Sequence, residues 1–244
     1  MDRSRRLARK TTGELTMYWD NDKQAEQAYV VPDDVVDVSY SIRCRALPVD
    51  HAHALHQALR RVLPWLDDEE LAGIHTIHVA ESGNGWIRPE NANDLLYLSR
   101  RTKLVLRVPQ HRLGDAGSLS GQSVDVGGHP LEVGASTVRP LSSLTTLFSR
   151  YIVADDNDDE NRFMQTALQQ LKALGLKPKK MMCGLGKLIS TPGKTIHTRS
   201  LMLADMEVED SVKLQQHGLG PWRQLGCGLF IPHKDISEVR QKQE

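Results

Sequence analysis

One order of short elements occurs twice along this chain, and that repetition narrows the fold more than any other feature. Residues 35–47 (VVDVSYSIRCRAL) alternate apolar and polar positions, the period of a half-buried strand. Pro48 and Asp50 punctuate the pattern, and Asp50 is placed to cap a following helix. In residues 51–66, Ala52, Leu55, Leu59, Val62, Leu63 and Leu66 recur at helical spacing, with Pro64 near the end. Further strands are expected at 74–79 and 103–109, on either side of a Gly-, Asn- and Pro-rich loop at 82–93. SVDVGGHPLEVG reads as two short strands turned at Gly127 and Gly128.

The second half runs through the same order. A strand at 146–154 precedes a helix at 158–174, with Phe163, Leu168 and Leu171 facing inward. A turn then leads to KMMCGLGKLIS, a long strand TIHTRSLMLADMEV, a short helix EDSVKLQQHG and a final strand LGCGLFIPH. Two such units, each with helices on one face of an antiparallel sheet, make an α+β protein. The expected divisions are an extension at 1–32, one domain at 33–135 and another at 144–244. The linker is expected near 133–143, VGASTVRPLSS.

The formal net charge is +0, but the charges are unevenly distributed. Between residues 161 and 204 stand Arg162, Lys172, Lys177, Lys179, Lys180, Lys187, Lys194 and Arg199, with no acid among them. The acids gather in DDNDDE at 155–160 and MEVED at 206–210, and a second basic run, SRRTKLVLR, lies at 99–107. A polyanion responds to the local field, so a neutral protein can still offer it one positive face. No apolar run approaches the roughly 20 residues that span a bilayer, and the basic N-terminus does not read as a secretory signal. Cys44, Cys183 and Cys227 lie far apart without a CxxC pair, which suits a reducing cytoplasm and no structural metal.

Two groups of residues point to chemistry. In HGLGPWRQLGCGLFIPHK, at 217–234, Gly218, Gly220, Gly226 and Gly228 would let backbone N–H groups approach an anion. Arg223 adds a possible bidentate phosphate contact, and Trp222 a surface for stacking on a base. The helix precedes these glycines and the strand follows, the reverse of a dinucleotide fingerprint, and no GxxxxGK[ST] is present. His51, His53 and His56 cluster at the start of the first helix. No HExxH or matched carboxylate accompanies them, so metal ligation is not expected. Imidazole suits RNA cleavage for a simple reason. The 2′-hydroxyl is a built-in nucleophile, so a protein need only take its proton, help the 5′-oxygen leave and stabilise charge on phosphorus.

The segments DHAHALHQALRRVLPWL, LSGQSVDVGGHPLEVG and SLMLADMEVEDSVKLQQHGLGPWRQLGCGLFIPHK together resemble the CRISPR repeat-RNA processing endoribonucleases. These belong to the repeat-associated mysterious protein superfamily, and the likeness is to its myxobacterial-type variant group. It covers roughly residues 35–236. The resemblance implies tandem ferredoxin-like modules and a metal-independent cut in repeat RNA that leaves 2′,3′-cyclic phosphate and 5′-hydroxyl ends, with no cofactor. It also implies that processed guide RNA stays bound and that the protein joins other subunits of an effector complex; some members only bind the guide. The family's general base is a histidine in or beside the first helix. Here that means His51, then His56, then His53, His51 being favoured by nearby helix-terminus donors. Tyr40 is a possible assistant. RNA contacts are expected from Lys187, Lys194, Arg199, Gly218, Gly220, Trp222, Arg223, Gly226 and Gly228.

Overall fold

The computed structural model describes residues 29–79, 91–92, 94–156 and 159–233. The basic segment at residues 3–10 and nearly all of the 82–93 loop lie outside the described residues. In chain order the first half holds β1 (Val35–Arg43), β2 (Ala46–Pro48), α1 (Ala52–Arg60), β3 (Gly73–His75) and β4 (Leu95–Tyr97). It continues with β5 (Lys103–Pro109), α2 (Leu113–Gly117), β6 (Ser123–Val126) and β7 (His129–Pro140). The second half holds β8 (Leu147–Val153), α3 (Glu160–Ala173), β9 (Lys180–Thr191), β10 (Lys194–Ala204), α4 (Val208–His217) and β11 (Ile231–Pro232).

One sheet has the order β3-β5-β1-β7-β6 and the other β11-β8-β10-β9, while β2 and β4 form a separate ribbon. All strand pairs are antiparallel. Without the added β6, both sheets place their first strand between the third and the fourth, with the second at an edge. That is the βαββαβ, ferredoxin-like arrangement, present in tandem. α1 packs Leu55, Ala58 and Leu59 into a cluster with Val38, Tyr40, Ile42, Leu104 and Leu106. α3 and α4 bring Phe163, Leu171 and Leu214 against Leu147, Leu201 and Leu203.

Six sequence expectations need correction. Asp50 does not cap α1: His51 holds that position without a side-chain cap bond, and the Asp50 carboxylate accepts from the Ser190 N–H at 2.8 Å. The helix stops at Arg60, and Pro64 instead begins a separate 3₁₀ turn, where its missing N–H costs nothing. The strand expected at 74–79 is three residues long, Gly73–His75. The proposed linker is largely sheet, because β7 stays paired with β1 as far as Val36↔Pro140. The final strand shrinks to Ile231–Pro232, since Gly226 and Gly228 sit at φ +84° and +69° and break extended backbone. In α3 the buried positions are Phe163, Ala167 and Leu171, with Leu168 half-buried.

The halves are joined by two buried guanidiniums that reach in opposite directions. Arg107 of β5 is 0% exposed. It donates to both Asp37 carboxylate oxygens at 2.9 and 3.0 Å, and to the carbonyls of Gln215 and Phe230 in the other half at 2.8 and 2.9 Å. Arg223 reaches back, donating to the Ala72 and Leu71 carbonyls at 3.2 and 2.9 Å and to Gln216 O at 3.0 Å. Burial, helped by nearby Arg107, pulls the Arg223 guanidinium down to about 10. Burial alone would raise Asp37, but Arg107 and then His75 hold its carboxyl well below the usual range. His75 is pulled below the ordinary imidazole value, chiefly by burial and against the opposing pull of Asp37.

Arg107→Leu strands Asp37 and two carbonyls, and should cost about 3–5 kcal/mol in urea unfolding; a loss under about 1 kcal/mol would contradict this account. The depressed His75 carries a pH signature. Below its unfolded value of about 6.5, the unfolded chain takes up the proton first, so stability falls with pH until the folded imidazole titrates too. The unfolding midpoint should therefore drop between pH 7 and pH 5, and drop less in His75→Gln.

Candidate active site

Three segments converge where the second sheet meets α1. β9 and β10 form a long hairpin, with Ile189 paired to Ile196 and Lys187 to Thr198. Ile189 and Ile196 pack with Ala52 of α1, Tyr151 of β8, and Leu225 and Cys227 of the glycine-rich loop. Along β10, Ile196 and Thr198 lie on the opposite face from Leu201 and Leu203, because side chains alternate. The face that bears Ile196 and Thr198 thus docks on α1 and the loop, while the other carries the α3–α4 core.

The hairpin's basic residues divide in the same way. Lys187 lies across from Thr198, with its ammonium 5.8 Å from the Tyr151 ring. Lys194, in phase with Ile196, sits 4.2 Å above the Trp222 ring, a cation–π contact. Arg199 has the other parity and its charge acts on Cys183, so the structure does not bring it together with Lys187 and Lys194.

The glycine-rich loop turns inward and packs against the first half. Gly226 lies over β3, where a Cβ would approach Ile74 O at 3.1 Å and Thr76 Cγ2 at 2.8 Å. A Cβ on Gly228 would collide with the Leu219 carbonyl. The N–H groups of Gly218, Gly226 and Gly228 donate to Leu214 O, Arg223 O and Tyr151 O at 2.8, 3.0 and 2.7 Å. They are committed to the protein and cannot also cradle a phosphate. Of the four glycines, only Gly220 is exposed. Arg223 is buried, with its Nε and Nη2 donating to backbone carbonyls rather than facing solvent. Trp222 keeps a half-buried ring under Lys194 and adopts a left-handed backbone, φ 69°. Such a conformation in a bulky residue stores about 1–3 kcal/mol of strain.

The three histidines of the first helix have separate fates. His51 is 2% exposed; its Nδ1 lies 2.8 Å from Pro48 O, and its Nε2 accepts the Ile77 N–H at 3.0 Å. With both ring nitrogens engaged, His51 staples the start of α1 to the chain beyond β3 and has no nitrogen left to act as a base. His56 is buried, with Nε2 2.6 Å from Asp67 Oδ1 on the 3₁₀ turn. His53 is half-buried. Burial and then His56 lower its pKa, and Asp50 opposes them. It is the least buried of the three imidazoles. Tyr40 is fully buried and donates to Ala116 O at 2.8 Å, and burial pushes its phenol up to about 12. It belongs to the core rather than to a reaction site.

A family model described as "Cas6 Crispr" matches residues 36–235. The "CRISPR-associated endonuclease Cas6" of Myxococcus xanthus (strain DK1622) is 29% identical over 205 residues, covering 84% of each chain. Among solved structures, one titled "CRISPR associated protein Cas6" superposes with TM-score 0.56 at 8% identity, over 82% of this chain and 100% of that one. "Characterization of a Cas6-related gene from Pyrococcus furiosus" gives TM-score 0.55 at 12% identity, over 82% and 99% of the two chains. "An RAMP protein binding different RNA substrates" also gives 0.55, at 13% identity, over 82% and 100%.

Exchange of the first two histidines separates structure from chemistry. His51→Ala leaves the Ile77 N–H and Pro48 carbonyl unpartnered, at about 1–3 kcal/mol each. His53→Ala should stay within about 0.5 kcal/mol of the parent. Chemical unfolding of the two variants side by side checks this; equal losses would refute the assignment.

Proposed function

The chain belongs to the Cas6 family of CRISPR proteins, a CRISPR RNA endoribonuclease by that membership, and we propose that it cuts repeat RNA in precursor transcripts with His53 as general base. The observation that carries the choice of base is the contrast among three neighbouring imidazoles. His51 has both nitrogens committed, His56 is held by Asp67, and His53 remains, half-buried and next in sequence to Ala52, which packs against the hairpin.

In this reading His53 takes the 2′-hydroxyl proton and the 2′-oxygen attacks the adjacent phosphorus. The bond to the 5′-oxygen breaks, and that oxygen leaves with a proton from solvent or a protonated side chain. The products are a 2′,3′-cyclic phosphate and a 5′-hydroxyl, and the scheme balances without a metal. Lys187 and Lys194 lie on the hairpin face that meets α1, where ammonium groups can offset charge gathering on the phosphorane. Trp222, half-buried beside Lys194, offers a ring on which an unstacked base can stack. The RNA-contacting set is thereby reduced from the sequence expectation to Lys187, Lys194, Trp222 and Gly220. We place the boundary between the two modules after β7, and take the bound partners to be repeat RNA, the processed guide and other effector-complex subunits. Among the described residues, no helix is long and apolar enough to cross a membrane.

His53→Ala should slow single-turnover cleavage of cognate repeat RNA by about 10²–10⁴-fold, with a chelator present, while binding persists. Because the base works unprotonated, the rate should rise with pH through the depressed His53 value, levelling off below the ordinary imidazole range. A single 2′-deoxy substitution at the cut should abolish cleavage; scission that continued there would remove the mechanism. A parent protein that binds the repeat tightly and never cuts it would instead be a guide-carrying subunit.

A further inference from the structure

We propose that Asp50 is a positioning residue of this site, clamping the β9–β10 hairpin to the start of α1 so that its lysines and His53 meet one phosphate. The inference rests on the His53 reading for its chemistry, but its geometry is independent of that reading.

Asp50 stands immediately before α1, where a carboxylate would ordinarily cap the helix. It does not do so. Its Oδ2 instead accepts the Ser190 N–H at 2.8 Å, across 140 residues of sequence. Its own N–H donates to Ala92 O at 3.3 Å, and the preceding Val49 N–H to Asp94 O at 2.9 Å, so the residue is held from both sides. Ser190 pairs with Thr195 one step from the hairpin end that carries Lys194, and Ile189 beside it is packed against Ala52. The Asp50–Ser190 bond therefore fixes how the hairpin sits on the helix that bears His53.

A carboxylate beside a site for a polyanion weakens attraction by its charge, so its presence calls for a compensating role. Besides the clamp, that role is electrostatic: Asp50 is the group that counters the lowering of His53 by burial and by His56. α1 packs against β1, β5, β6, β8, β9, β10 and the 3₁₀ turns at 64–67 and 223–225. They bring Asp125, Asp67, Lys187, Lys194 and Arg223, while α1 itself adds His56 and Arg60.

Two substitutions in the full-length protein separate the two roles. Asp50→Asn keeps an oxygen for the Ser190 N–H and removes the charge; Asp50→Ala removes both. Single-turnover cleavage from pH 5 to 8, affinity for 2′-deoxy repeat RNA, and hydrogen exchange at the Ser190 amide are measured for each. The asparagine variant should retain Ser190 protection and near-parental plateau cleavage, with the acidic limb of its pH profile moved to lower pH. The alanine variant should lose Ser190 protection and cut about a hundredfold more slowly at saturating RNA, as expected for a misplaced catalytic group. Unchanged Ser190 exchange in Asp50→Ala overturns the clamp, whichever residue is the base. An unmoved acidic limb in Asp50→Asn overturns the electrostatic role. If His53→Ala cuts at the parental rate, the assignment of the base fails, while the exchange result still decides the clamp.

Discussion

A guanidinium removed from water must place its N–H groups on fixed acceptors, and Arg107 finds them in two parts of the chain at once. Asp37 on the neighbouring strand takes one side of the fork, and the carbonyls of Gln215 and Phe230 take another donor. Those carbonyls lie at the end of α4 and just past the glycine-rich loop, so satisfying one arginine sets the second sheet against the first. Arg223 repeats the arrangement in reverse, from the loop to Leu71 and Ala72. Leaving either partner unmet would bury a charge or carbonyls without compensation, and this penalty resists relative sliding of the halves.

The seam held in this way is where the proposed chemistry sits. α1 belongs to the first sheet's core through Leu55 and Leu59, yet its Ala52 packs with residues of β8, β9, β10 and the loop. In the proposed reading, His53 from one half works together with lysines on a hairpin supplied by the other. The glycines serve the same end: Gly226 and Gly228 let the loop approach β3 and the Leu219 carbonyl more closely than any side chain would permit. Both glycines thereby help bring the halves together.

Much of the fold was legible in the sequence, because strand alternation and helical spacing are local consequences of one face being buried. β5 matches the expected strand at 103–109, and the turn at Gly127 and Gly128 lies between β6 and β7. Errors arose where local signals were ambiguous. Residues 133–143, VGASTVRPLSS, read as a linker, but pairing with β1 carries them into the sheet as far as Pro140. The segment after α4 is apolar enough to be a strand, but its positive-φ glycines turn it into a packed loop. Asp50 looked like a cap because the sequence could not show a Ser190 amide folded back upon it.

The candidate site divides along the same line. The amino-acid order alone determined that a cluster of histidines starts the first helix, that lysines stud the later hairpin, and that glycines crowd after the last helix. It could not decide which imidazole is available. That depends on Pro48, Ile77 and Asp67 claiming His51 and His56, and on carbonyls at 71 and 72 drawing Arg223 inward. Periodicity is written in neighbouring residues, whereas the occupancy of a ring nitrogen or a guanidinium depends on partners that only the folded chain brings within hydrogen-bond reach.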